Sequence, residues 1–169
     1  LAHQAGRGSL NRRDNRRRIV RNGDGQGVGA DAAVIVGDTK PPLKPVPGIE
    51  FQQLDVTKED DWKRVVDGIL AKHKKVDVIV NNAGIAISNR PAETMTDDVW
   101  LKVVDVNLNG LFWCCRAFGK HMLGAKSGSI VNVGSMSGFI VNKPQEQCYY
   151  NASKAAVHHL TKSLRSEER

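Results

Sequence analysis

An α/β domain built on a parallel sheet is what this sequence of 169 residues predicts, and three observations predict it. Short apolar runs rich in β-branched residues alternate with segments whose apolar residues recur at helical spacing. That alternation favours parallel strands joined by helical crossovers. Polar and glycine-rich residues follow the apolar runs directly, at Asp55, at Asn81 to Gly84 and at Gly134 to Gly138. In open parallel sheets, ligands gather outside the carboxyl ends of the strands. The length and the 40% hydrophobic content suit one globular core.

The elements follow in order. "AAVIV", residues 32–36, reads as a short buried strand. "TKPPLKPVPG" holds four prolines and is a loop. "IEFQQLDV" is a second strand ending near Asp55, and from Thr57 the pattern becomes helical. Thr57 is placed to cap that helix, acidic residues fill its first turn, and Trp62, Val65, Val66, Ile69 and Leu70 share one face. "VDVIVNNAG" is a third strand. Thr96 or Asp97 opens a long helix to about Leu123, with Trp100, Val103, Val104, Asn107, Leu111 and Cys114 or Cys115 turned inward. "SGSIVNVGS" is a fourth strand, and a helix from about Gln147 to Ser166 follows.

Composition excludes several classes. There is no run of about 18 apolar residues to span a bilayer, and the first residues lack the apolar stretch of a secretory signal. Cys114, Cys115 and Cys148 form an odd set without metal-ligand spacing, which suits a reducing compartment. A soluble, cytoplasmic protein without membrane or metal is expected. The net charge of +7 is uneven: residues 1–30 hold seven Arg against Asp14 and Asp24, or +5, leaving +2 for the remainder. "NRRDNRRR" has no aromatic residue interleaved to stack bases, so nucleic-acid binding is the least favoured reading.

Chemistry concentrates near the last helix. Tyr150 and Lys154 stand four residues apart and so lie on one helix face. A lysine ammonium beside a phenol favours the phenolate, which makes an acid/base group usable near neutral pH. Ser135 follows the fourth strand, where its hydroxyl can hydrogen-bond a substrate oxygen as that oxygen changes charge. Tyr149 points about 100° away on the helix and is expected in packing. His158 and His159 are expected at the surface or in packing.

"NNAG" (Asn81 to Gly84), "VNLNG" (Val106 to Gly110), "GSIVNVGSMSG" (Gly128 to Gly138) and "YNASK" (Tyr150 to Lys154) occur together and in this order. In this combination the sequence resembles the short-chain dehydrogenases/reductases, from about Gly29 to Leu164. "GSMSGFIVNKPQ" and "YNASKAAVHHLTKSL" look closest to the polyol branch that includes galactitol dehydrogenase. The resemblance implies a Rossmann-type doubly wound sheet and an oxidoreductase that interconverts a secondary alcohol, polyol or sugar-like, and a ketone with NAD or NADP. It implies Tyr150 as general acid/base, Lys154 as the group that tunes it and binds the nicotinamide ribose, Ser135 orienting the reacting oxygen, and Asn107 holding a water that links Lys154 to solvent. Ser137 is the alternative serine and a candidate pocket residue. Asp55 and Val56 match the pair that contacts the adenine ring, and Asn82, Ala83 and Gly84 the segment that approaches the cofactor. A homo-tetramer or dimer through the two long helices is likewise implied.

Two regions depart from that pattern. Gly23, Gly27 and Gly29 have the spacing of a phosphate-binding turn, yet Gly29 leads straight into the strand at 32–36, with no room for the helix such a turn must open. The turn would fall at residues 10–18, which read "LNRRDNRRR" and contain no glycine. Residues 1–28 are therefore read as an aberrant basic segment, from a reading-frame error or decay, and 29–169 as a truncated dinucleotide-binding domain lacking its last two strands and substrate loop. Asp38 is the acid expected to meet the adenosine ribose and to favour NAD, although Val36 lies nearer the matching position. The alternative function is an inactive remnant that serves as an oligomerisation partner.

Overall fold

The protein is described here from a computed structural model, which describes residues 32–87 and 90–167. The basic segment 1–28 and Gly23, Gly27 and Gly29 lie outside the described residues.

β1 (Val34–Asp38) and β2 (Ile49–Gln53) pair with each other. The Asp38 carbonyl accepts from the Leu54 N–H at 2.9 Å, so the two strands finish side by side. After the turn at Asp55 comes α1 (Glu59–His73), whose buried face is Trp62, Val65, Val66 and Ile69. Thr57 does not cap it. Its N–H and hydroxyl both donate to Asp55 Oδ1, at 3.0 and 2.7 Å, which closes a local turn two residues before the helix. Lys58 takes the capping position without a side-chain bond, and Glu59, Asp60 and Asp61 meet the positive end of the helix dipole instead. Lys72 and His73 at the far end reach Glu50 of β2, at 2.5 and 3.4 Å.

β3 (Val78–Asn81) pairs in parallel with β4 (Ser129–Asn132), Val80 opposite Val131 and Asn81 opposite Asn132. Between them run α2 (Asp97–Val104), a π-helical turn (Asp105–Asn109) and α3 (Gly110–Ala125). The expected long helix is thus continuous but interrupted in register. α4 (Cys148–Glu167) closes the described chain.

The expectation of α/β structure with parallel strands holds, but the strands form two pairs rather than one sheet. Two further expectations need correction. Val36 in the first strand is 40% exposed, and Val78, Val80, Val131 and Val133 are exposed as well. The helices cover one face of the β3–β4 pair, where Ile79 and Ile130 pack, and the described residues leave the alternating face open. Trp100 is 41% exposed, because only Val103 of α2 reaches the interior.

Two cores result. Leu54, the α1 face, Cys114 and Phe118 form one, with Trp62 and Phe118 edge to face at 6.4 Å. Leu111, Cys115 and Val157 form the other, between α3, α4 and Ile130. The segment after β2 is held from both sides. Trp62 Nε1 donates to the Val56 carbonyl at 3.0 Å, and a Cβ on Gly110 would lie 2.8 Å from that same oxygen.

Two of the α3 glycines, Gly110 and Gly119, therefore predict opposite outcomes. Gly110→Ala gains about 1 kcal/mol of helix propensity but forces a methyl into backbone, at an overpacking cost of about 1–3 kcal/mol. A net loss of about 1–2 kcal/mol is expected. Gly119→Ala meets nothing within 4 Å and should stabilise by about 0.5–1 kcal/mol. Urea unfolding midpoints of the two variants check the contrast.

Candidate active site

Asn107 sits in the π-helical turn, where the Gly110 N–H reaches back to the Asp105 carbonyl. One residue more than an α-helical turn fits into this register, and such insertions often carry functional groups. Asn107 is fully buried. Its Oδ1 accepts from Ile85 N–H at 2.8 Å, and its Nδ2 donates to the Ile85 carbonyl at 3.0 Å and to Ser153 Oγ at 3.1 Å. The Ser153 hydroxyl in turn donates to the Tyr150 carbonyl at 2.8 Å. One amide thus ties the segment after β3 to the first turns of α4.

Tyr150 and Lys154 lie one turn apart on α4, as their spacing requires, with the Lys154 ammonium 5.9 Å from the centre of the Tyr150 ring. Lys154 is buried, and burial lowers its pKa from the ordinary lysine range, because desolvation penalises the cation. Its Nζ donates to the Val133 carbonyl at 2.9 Å, just past β4. Gly84 completes this corner: a Cβ there would stand 3.5 Å from both Asn107 Oδ1 and Lys154 Nζ.

Ser135 is two residues past Val133. Its Oγ accepts from the Ser137 N–H at 3.1 Å, which starts a short 3-10 turn, Met136–Gly138. The Ser137 hydroxyl is buried and accepts from Asn142 Nδ2 at 3.1 Å. The two candidate serines are therefore in different situations. Both hydroxyls accept and keep an O–H to donate, but Ser137 is buried against its own loop. Tyr149 is fully buried and its hydroxyl has no hydrogen-bond partner among the described residues, which places it in packing.

The structure brings Gly84, Asn107, Ser135, Tyr150 and Lys154 to the carboxyl ends of β3 and β4. Asn82 and Ala83 are exposed at the same strand exit. Asp38, Asp55 and Val56 occupy the carboxyl ends of β1 and β2. Asp38 Oδ1 accepts from Thr39 Oγ1 and the Lys40 N–H, at 3.2 and 3.3 Å. A cavity of about 870 Å³ between α1 and α3, lined by Trp62, Trp113, Lys120 and His121 among others, contains none of these residues.

Two contributors escape the reading of the sequence. Ser153 appears there only as a letter of "YNASK", and His158 as surface or packing. His158 Nε2 contacts the Ser135 carbonyl at 2.8 Å. The available signal was spacing, since Tyr150, Lys154 and His158 recur every four residues.

The family model for short chain dehydrogenases matches residues 42–169. The chain belongs to the short chain dehydrogenase family. Galactitol 2-dehydrogenase of Rhizobium johnstonii is 50% identical over 119 residues, which cover 70% of this chain and 46% of that protein. Sorbose reductase of Candida albicans is 42% identical over 114 residues, 67% of this chain and 41% of that protein. The crystal structure of gox2181 superposes with a TM-score of 0.69 at 47% identity, covering 72% of this chain and 47% of its own. This family member spans about half the length of the curated relatives it matches. The structure of ElxO with NADP bound is also similar, with a TM-score of 0.68 at 33% identity, over 72% of this chain and 48% of that one.

The described residues fit the nicotinamide half of such a cofactor. Lys154 spends one donor on Val133, and an ammonium has others for ribose hydroxyls. Gly84 leaves the corner beside it open. Among the described residues no helix is long and apolar enough to cross a membrane.

Asn107→Leu keeps the volume but strands the Ile85 N–H and carbonyl and removes the donor to Ser153 Oγ. At about 1–3 kcal/mol for a buried polar group left without a partner, a loss of several kcal/mol is expected in denaturant unfolding, and Asn107→Asp should lose at least as much at neutral pH, because it sets a buried carboxylate oxygen against the Ile85 carbonyl.

Proposed function

We propose that the protein is an oxidoreductase that interconverts a secondary alcohol, of polyol or sugar type, and the corresponding ketone with NAD or NADP. The observation that carries the reading is the convergence of the buried Lys154 ammonium, the Tyr150 ring and the Ser135 hydroxyl at one strand exit. Similarity to galactitol and sorbose enzymes supports the substrate class.

When bound, the nicotinamide supplies hydride chemistry at the substrate carbon. Asp38 would meet the adenosine ribose, Asp55 and Val56 the adenine, and Asn82, Ala83, Gly84, Tyr150 and Lys154 the nicotinamide half. A carboxylate at Asp38 repels a 2′-phosphate, which favours NAD.

The chain's own residues move the proton. Tyr150 exchanges it with the substrate oxygen as general acid/base. Lys154, anchored on Val133, keeps a cation beside the phenol and so stabilises the phenolate. Ser135 has its oxygen lone pair engaged by Ser137, which turns its O–H outward to the substrate oxygen. Asn107 Oδ1 retains a lone pair for a water that returns protons to Lys154.

A second reading, an inactive partner in an oligomer, is favoured by one observation. A groove of about 400 Å³ between α3 and α4 is lined by Leu108, Phe112, Ala156 and Leu160, apolar side chains suited to a second copy.

Tyr150→Phe is expected to reduce turnover of a polyol panel by at least about 100-fold while NAD affinity, measured by calorimetry, stays within about twofold. Tyr149→Phe should leave turnover unchanged and raise stability by about 1 kcal/mol, since it removes a buried hydroxyl without a partner. Retained turnover in Tyr150→Phe overturns the assignment. Phe112→Asp should convert any dimer or tetramer to monomer in light scattering, and self-association without turnover or cofactor binding selects the second reading.

A further inference from the structure

We infer that His158 is a positioning residue for Ser135, acting through the main chain; the inference deepens the function proposed above and rests on it for its catalytic consequence. Tyr150, Lys154 and His158 form one stripe on α4, at successive turns. Lys154 Nζ donates to the Val133 carbonyl at 2.9 Å, and His158 Nε2 bonds the Ser135 carbonyl at 2.8 Å. Two successive turns of the helix thus grip alternate carbonyls of the chain leaving β4. A carbonyl oxygen only accepts, so Nε2 carries the proton and donates.

The surroundings are shaped to this imidazole. A Cβ on Gly134 would lie 2.4 Å from His158 Cε1, and one on Gly138 would lie 2.6 Å from His158 Cδ2 and 2.8 Å from the Lys154 and Ala155 backbone. At Gly138 the helix backbone leaves room for glycine alone, and at Gly134 a side chain would have to displace the His158 ring. Phe139 stacks on the ring with centroids 4.1 Å apart and planes 29° from parallel. The Ser135 carbonyl also accepts from the Gly138 N–H at 3.0 Å, while Ser135 Oγ accepts from Ser137 N–H. Three groups therefore determine the orientation of one serine by hydrogen bonds: His158, Gly138 and Ser137. Of these, only His158 ties the loop to the helix that carries Tyr150 and Lys154. Together with the Lys154 bond to the Val133 carbonyl, that tie sets the position of the Ser135 hydroxyl relative to Tyr150, on which substrate orientation depends.

The test uses His158→Leu, which removes the donor, and His158→Gln, which returns an N–H at comparable reach. Long-range proton–nitrogen spectra of the wild-type imidazole should show the tautomer protonated at Nε2. Amide hydrogen exchange at Ser137 and Gly138 should accelerate about tenfold or more in His158→Leu, with the middle of α4 unchanged, and His158→Gln should restore most of the protection. These readouts need no turnover, so they stand even where the proposed activity fails. With turnover, kcat should fall about tenfold or more in His158→Leu while cofactor affinity stays within about twofold, and His158→Gln should recover it. An Nδ1-protonated ring, unchanged exchange at Ser137 and Gly138, wild-type kcat in His158→Leu, or a His158→Gln variant as impaired as His158→Leu would each overturn the inference.

Discussion

The bond from the buried Lys154 ammonium to the Val133 carbonyl joins the first turns of α4 to the exit of β4, and the site depends on that junction. A buried cation is tolerated only where it is hydrogen-bonded, and burial here already pulls the lysine pKa down. The junction places the phenol of Tyr150 beside the cation, brings the loop carrying Ser135 against the helix, and leaves Gly84 next to the same nitrogen. The Asn107 amide performs the matching task on the other side, joining the segment after β3 to Ser153. Polar bonds in the interior thus tie the loop residues of the site, Gly84 and Ser135, to the helical segments that carry Asn107, Tyr150 and Lys154.

Much of this was legible in the sequence because it depends on periodicity. The α1 face from Trp62 to Ile69 and the buried residues of α3 follow from spacing. The pairing of Tyr150 with Lys154 needs only the geometry of one helix turn, and the packing role of Tyr149 follows from the same wheel. The order of motifs, with "NNAG" before "VNLNG" and "YNASK" last, carries the family, which the match over residues 42–169 bears out.

What was not legible depends on neighbours distant in the chain. "AAVIV" has the letters of a buried strand, but burial is decided by what lies over it, and Val36 stays exposed among the described residues. Thr57 has the chemistry of a cap, yet Asp55, two residues away, competes successfully for its hydroxyl. Trp100 sits at a helical spacing that pointed inward only if the helix kept a single register through Asn109. His158 is one of two adjacent histidines, and nothing local says that a loop more than 20 residues earlier returns to rest on it.

The π-helical turn has a further consequence. By holding one residue more than an α-helix allows, it works as a phase shifter between α2 and α3, so that a single rod presents two faces rotated against each other. Val103, Asn107, Leu111 and Cys114 all lie inside, whereas Trp100, which would share their stripe on an ideal helix, is 41% exposed. Length along this rod is therefore information in its own right. Deleting one residue between Asp105 and Asn109 would restore ideal helix geometry and, by doing so, turn the Asn107 amide away from Ile85 and Ser153. In this segment helical regularity and the buried hydrogen bonds of Asn107 are opposed.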